Sequence, residues 1–294
     1  MTANPPFTWN LIEDVRQLFE FPFMVNALRA GTLVAIVASL IGWFMVLRRQ
    51  TFAGHTLAVV SFPGASAAIL LGVSATYGYF AFAIGAALVF AVLSPAGVAR
   101  SRTEESAIVG TVQAFALASG FLFISLSHRN ITGAQSLLFG SFLGITTTQV
   151  AVLAASTALV LAILGFIARP LLFASVDPDV ANARGVPVRL LSVVFLLLLG
   201  IAAAEASQTT GSLLIFALLV LPAATAERLT SRPGMSAVLT VLIALVVTWL
   251  SLALSYYNNY PIGFHVTSLA FGAYVLARAA RVVTGRLGTA GVVQ

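Results

Sequence analysis

A single carboxylate interrupts the run Ile201-Ala202-Ala203-Ala204-Glu205-Ala206. An acid in such surroundings has nothing nearby to solvate it, which leaves two readings. Glu205 serves a cation site inside the hydrophobic layer, or it lies far enough along its helix, about 26 Å from Val188 at 1.5 Å per residue, to reach the outer interface. Other groups capable of chemistry are few. Imidazole is offered only by His55, His128 and His265, and the absence of cysteine excludes disulfides, thiolate ligands and thiol nucleophiles. All fifteen basic residues are arginine. Without lysine there is no Gly-Lys-Ser/Thr loop of the Walker A type, so the chain cannot hold ATP by that device. These residues form no catalytic constellation and imply no cofactor, and an enzyme is not expected.

The elements that must position these groups follow from composition. Hydrophobic residues make up 60% of the 294, charged ones 8%, and mean hydropathy is +1.02. A water-soluble domain could not cover so much apolar surface, so the fold class is all-α, a polytopic transmembrane helical bundle forming one domain over residues 1–294. A net charge of +6 and a pI near 10.5 would suit nucleic acid. The arginines, however, are scattered through polar joints between apolar runs, which membrane lipid and topology explain better. Residues 1–23 carry Glu13, Asp14, Arg16 and Glu20, unlike the cationic start of a secretory signal. They are expected to remain uncleaved as an interfacial lead-in, with Phe7, Trp9, Leu11, Phe19 and Phe21 at the lipid surface.

Apolar runs predict spans over 24–47, 52–74, 79–98, 107–126, 151–167, 188–207, 212–226, 235–256 and 265–277. The count is eight or nine, depending on how the broken runs are scored. Pro63-Gly64 predicts a kink or unwound turn in the second, Gln208 to Gly211 a break after the sixth, and Pro222 an interruption of the seventh. Such breaks free backbone carbonyls that can line a path. The Gly/Ser/Thr-rich stretch 131–148 is too short and broken for a span and reads as a re-entrant or surface helix. Gly31, Gly42, Gly72, Gly78 and Gly85 are placed to let helices approach closely.

The longest polar interruption in the second half is Asp177-Pro178-Asp179-Val180-Ala181-Asn182-Ala183-Arg184-Gly185-Val186-Pro187. Asp177 can cap a short helix here, Pro178 suits its first position, Gly185 can close it, and Pro187 prevents continuation. Asp179 sits at the positive end of the helix dipole and Arg184 at the negative end. About seven residues cannot hold a helix in water unaided, so a neighbour must brace it, and a partner protein is the natural brace. Arginine placement sets the orientation. With nine spans, positions 48, 49, 100, 102, 169, 184, 189, 228, 232, 278, 281 and 286 fall on one side, which the positive-inside rule makes cytoplasmic. The N-terminus is then outside, the 177–187 helix faces the cytoplasm, and residues 278–294 form a cytoplasmic tail.

From residue 173 to 226 the sequence resembles the permease subunits of bacterial ABC importers for zinc and manganese. Asp177 to Pro187 is similar to their DPE-x-A-R-A-x-G-x-P segment. Gln208-Thr209-Thr210-Gly211-Ser212-Leu213-Leu214 and Leu221-Pro222-Ala223-Ala224-Thr225-Ala226 follow in family order. Upstream, Arg48-Arg49-Gln50-Thr51-Phe52-Ala53-Gly54-His55, Phe62-Pro63-Gly64-Ala65 and Leu138-Phe139-Gly140-Ser141-Phe142-Leu143-Gly144 look like further family motifs, as do Ser255-Tyr256-Tyr257 and Tyr260-Pro261 downstream. The ordered set covers roughly residues 45 to 275.

The resemblance implies an all-helical permease that pairs with a second copy or a close relative. It gives the 177–187 segment the job of a coupling helix docking into a cytoplasmic ATPase, and it implies a metal-loaded binding protein outside. The cargo would be a divalent metal such as manganese, zinc or iron, moved by alternating access. In the family an acidic residue or histidine takes the place of His55 and a histidine follows one turn later, a spacing that can share a metal. Here the later residue is Val59. His55 therefore reads either as a residue touching the ion or as an interfacial imidazole about 9 Å past Arg49. The family counterpart of Glu205 is usually not acidic. Alternatives are a permease for a siderophore or cobalamin, and an ion-coupled secondary transporter. The latter class places several ionisable groups inside its spans, where this chain has Glu205 nearly alone.

Overall fold

In a computed structural model the chain is described over residues 11–93, 102–127, 136–140, 144–212, 215–258 and 260–290, and no strand occurs among them. The helices are α1 (Leu11–Glu20), α2 (Pro22–Leu47), α3 (Thr51–Leu70), α4 (Ala75–Leu93), α5 (Arg102–Leu126), the single turn α6 (136–139), α7 (Thr147–Val176), α8 (Pro178–Ala183), α9 (Val188–Thr210), α10 (Ile215–Leu229), α11 (Pro233–Tyr257) and α12 (Ile262–Ala290). The expectations about Phe7, Trp9, His128 and residues 291–294 lie outside the described residues.

Seven helices, α2, α3, α4, α7, α9, α11 and α12, are long and apolar enough to cross a membrane. The apolar part of α5 is shorter, Gly110–Leu126, and α10 has 15 residues, about 22 Å of helix against roughly 30 Å of hydrocarbon. Side-chain bonds fix the threading. Arg48 at the end of α2 reaches Ser175 late in α7 and Ser192 early in α9, while Asn26 at the start of α2 bonds the Ile145 carbonyl just ahead of α7. Trp43, late in α2, donates to Ser236, early in α11. Consecutive long helices therefore run in opposite directions, and α5 and α10 occupy the two places that keep this alternation.

The structure corrects several expected helix ends. Helix α3 runs unbroken from Thr51 to Leu70 through Pro63-Gly64, α10 from Ile215 to Leu229 through Pro222, and α7 from Thr147 to Val176 through Arg169-Pro170. Each proline removes one N–H, but neighbouring turns and packed helices carry the helix across. Gln208 is helical too. Its Nε2 bonds the Ala204 carbonyl at 3.2 Å, α9 continues to Thr210, and the break falls at Gly211, where φ is 84°.

Lipid is as apolar as leucine, so close van der Waals contact between helices, rather than water exclusion, holds such a bundle together. A Cβ on Gly42 would overlap the Leu219 carbonyl of α10, and one on Gly31 would crowd Thr248 and Leu252 of α11. Gly64 and Gly78 lie backbone to backbone and bring α3 against α4, so Gly64 serves contact rather than a break. Gly72 and Gly85 meet no neighbour, and Gly72 instead turns the chain at φ 75°. Phe115, Phe166 and Leu276, at 75%, 89% and 72% exposed, point outward from α5, α7 and α12.

Candidate functional site

The segment after α7 folds as its residue types require. The Asp177 carboxylate accepts from the Val180 N–H at 3.0 Å, and Pro178 takes the first helical position. After six residues Arg184 caps the helix and Gly185 turns left-handed at φ 80°. The Gly185 N–H then bonds the Asn182 carbonyl and the Val186 N–H the Ala181 carbonyl, each at 3.0 Å, the paired bonds that close a helix. Ala181 is fully buried against the bundle, while Asp177, Pro178, Asp179, Val180, Asn182, Ala183, Arg184 and Gly185 are all exposed. A helix this short is thus braced from below through one alanine and offers its remaining surface outward.

Beneath it lies a residue that the motif reading did not single out as functional. Arg48 donates from Nη2 to Ser192 Oγ at 2.7 Å, from Nη1 to Ser175 Oγ at 3.2 Å and from Nε to Gln50 Oε1 at 3.4 Å, and its guanidinium stands 5.3 Å from the centre of the Phe195 ring. Burial draws it below the ordinary arginine range. The signal that could have found it is an arginine closing an apolar span, although nothing local names its two serine partners.

The two expected metal residues occupy separate places. Glu205 is fully buried on α9. Its Oε2 accepts from Thr157 Oγ1 of α7 at 3.3 Å, and its Oε1 has no hydrogen-bond partner. Gln208, one turn further along α9, likewise has an unpartnered Oε1. His55 is half-buried near the start of α3, its ring edge-on to Phe216 of α10 with centroids 5.1 Å apart, and its Nδ1 is unpartnered. No hydrogen bond joins His55 to Glu205, and no group of three or more His, Asp or Glu residues able to hold a metal occurs among the described residues. His265 is buried rather than solvated. Its Nδ1 lies 2.9 Å from Ser255 Oγ, tying α12 to α11.

Beyond Glu205 two separate motifs prove to be one structure. Gly140, at φ 80°, lies against the backbone of Thr209, Thr210 and Gly211, and a Cβ on Gly211 would overlap the Leu138 carbonyl. The Leu137 carbonyl accepts from the Ser212 N–H and from the Tyr79 hydroxyl, each at 3.3 Å. The turn at 136–140 therefore plugs the break after α9, which sequence spacing alone could not show.

This architecture and its motifs recur elsewhere. A family model described as the ABC 3 transport family matches residues 20–281. The manganese transport system membrane protein MntC of Halalkalibacterium halodurans is 31% identical over 223 residues, covering 76% of this chain and 75% of that one. The chelated iron transport system membrane protein YfeC of Yersinia pestis is 28% identical over 259 residues, covering 88% and 86%. Among solved structures, PsaBC from Streptococcus pneumoniae in complex with Fab superposes with a TM-score of 0.80 at 25% identity, over 91% of this chain and 95% of that one. A putative metal-chelate type ABC transporter in an inward-facing conformation, at 18% identity and TM-score 0.63, shares the fold. Helical architecture, ordered motifs and relatives agree that this chain belongs to the ABC 3 transport family, as a membrane permease and not an enzyme.

Proposed function

We propose that this permease carries a divalent metal ion, manganese or iron before zinc, through an importer driven by a separate ATPase. The single observation that carries the cargo is its relatives' naming for manganese and chelated iron. Arginines 48, 49, 184, 189, 228 and 232 gather at the end of the bundle that bears α8, and the positive-inside rule makes that end cytoplasmic. The N-terminus then lies outside. Exposed α8 is the coupling helix, entering a groove of the ATPase by way of Asp177, Pro178, Asp179, Arg184 and Gly185. A metal-binding protein delivers the ion outside, and a second permease, a copy or a relative, completes the path.

Within the chain the ion meets incompletely bonded ligand atoms, first the Glu205 carboxylate beside Ser156 and Thr157 and the Gln208 Oε1 below the Gly211 break, then His55 Nδ1. Oxygen and nitrogen donors of this kind suit manganese and iron. Pro63 cannot donate to the Val59 carbonyl, and this oxygen becomes available where relatives carry a second histidine. A path with one or two ligands per stop binds weakly enough to release. Pro222 likewise leaves the Leu218 carbonyl without its helical donor on α10, whose Phe216 faces His55.

The test is metal analysis of cells with and without the chain, together with its ATPase. Expected is loss of manganese or iron accumulation on deletion, and loss of transport with ATP hydrolysis retained when Asp177→Asn and Arg184→Gln are combined. Transport by the chain in vesicles lacking any ATPase would overturn the reading, favouring the secondary carrier. Selective loss of a siderophore or cobalamin would favour the other cargo.

A further inference from the structure

Arg48 occupies an unusual junction. Its two serine partners stand on the helices that carry α8, Ser175 two residues before Asp177 and Ser192 five residues after Pro187. A displacement of α8 that is passed on to α7 or to α9 moves one of them. The guanidinium is fixed from a third side by Phe195, and no carboxylate among the described residues pairs with it. The fork is thus satisfied by neutral hydroxyls, bonds strong enough to transmit a pull and short of the grip of a buried ion pair.

On its other side Arg48 is wired to α3. Arg49 adopts φ 56°, the one positive φ outside glycine among the described residues. It closes α2 with the bonds usually reserved for glycine, Arg49 N–H to the Val46 carbonyl at 3.0 Å and Gln50 N–H to the Met45 carbonyl at 2.9 Å. Gln50 Oε1 also holds Arg48 Nε, so the elbow between α2 and α3 has no slack. Thr51 starts α3 immediately afterwards, and His55 follows one turn later.

We propose that Arg48 is the positioning residue that carries the movement of α8 into the start of α3, and so to the level of His55. The inference rests on the reading of α8 as the coupling helix.

Amide hydrogen exchange on the assembled transporter with its ATPase, before and after ATP is trapped with vanadate, reads both ends of the link. In the unaltered protein, segments 176–186 and 49–56 should respond together. In Arg48→Met, 176–186 keeps its response while 49–56 loses it, and manganese uptake falls at least about tenfold. Arg48→Lys, which retains charge without the fork, recovers part of the response. The combined Ser175→Ala and Ser192→Ala variant leaves Arg48 in place and, should Arg48→Met fail to fold, gives the same separation of the two segments. An undiminished response at 49–56 in either variant that folds overturns the inference alone. If 176–186 does not respond in the unaltered protein, the coupling-helix reading falls with it.

Discussion

The two ends of α9 are held by opposite means. At its start Ser192 is gripped by an arginine fork that also holds α7, through hydroxyl bonds that can lengthen and re-form. At its end the main contact is backbone on backbone, with the Ser212 N–H bonding the Leu137 carbonyl at 3.3 Å. Gly211 and Gly140 simply lack side chains, and two backbones lie in contact. Side chains bonded end to end can travel with the helices that carry them, whereas two backbones packed without room for a Cβ hold a fixed register. With α8 read as the coupling helix, motion enters at the α8 end and the Gly211 end stays closed, with Glu205 buried in between.

The largest effect should come from breaking the seal. Gly211→Val places a branched side chain at φ 84° and into the Leu138 carbonyl, and thermal unfolding in detergent should show a loss of about 3–5 kcal/mol from strain and overlap together. A loss below about 1 kcal/mol would mean the two backbones do not meet. Next comes Glu205→Gln, which keeps the shape and the Thr157 contact but removes the charge. Manganese uptake should drop about tenfold with the unfolding midpoint nearly unchanged. Unaltered uptake would take Glu205 off the path. Asp177→Ala removes the cap of α8 at about 1 kcal/mol, read as faster amide exchange confined to 178–184. The smallest change is Gly185→Ala. It has the same left-handed φ as Gly211 but open space around it, so about 1 kcal/mol is expected, and a loss as large as that at Gly211 would erase the distinction between the two ends.

The α8 end was almost wholly legible in the sequence, because a capped helix is a local device. Asp177, Pro178 and Gly185 each act on backbone atoms within four residues, and each does what its residue type dictates. The prolines are less legible, for the converse reason. Pro63, Pro170 and Pro222 forbid a bond in isolation, but inside a bundle the flanking turns and neighbouring helices hold the line, and α3, α7 and α10 pass through them. Gln208 adjoins Gly211 in sequence and so reads as part of a break, although its amide folds back onto the Ala204 carbonyl. Glu205 was legible as an intramembrane acid but not as a group facing Thr157, since a partner 48 positions away leaves no trace in local pattern. Arg48, matched only as part of a motif, has partners still further off in the chain. His55 and Glu205 stand out in the sequence by type alone, and their unpartnered atoms are facts of packing.

The brevity of α8 has a pharmacological corollary. Six residues braced by one buried alanine have no helix of their own once cut from the bundle, so a linear peptide copied from 177–187 would present the right side chains without their arrangement and compete poorly for the ATPase groove proposed above. A macrocycle locking the turn, with the Asp177 cap and the Gly185 reversal built in, is the form in which this surface could be borrowed as an inhibitor.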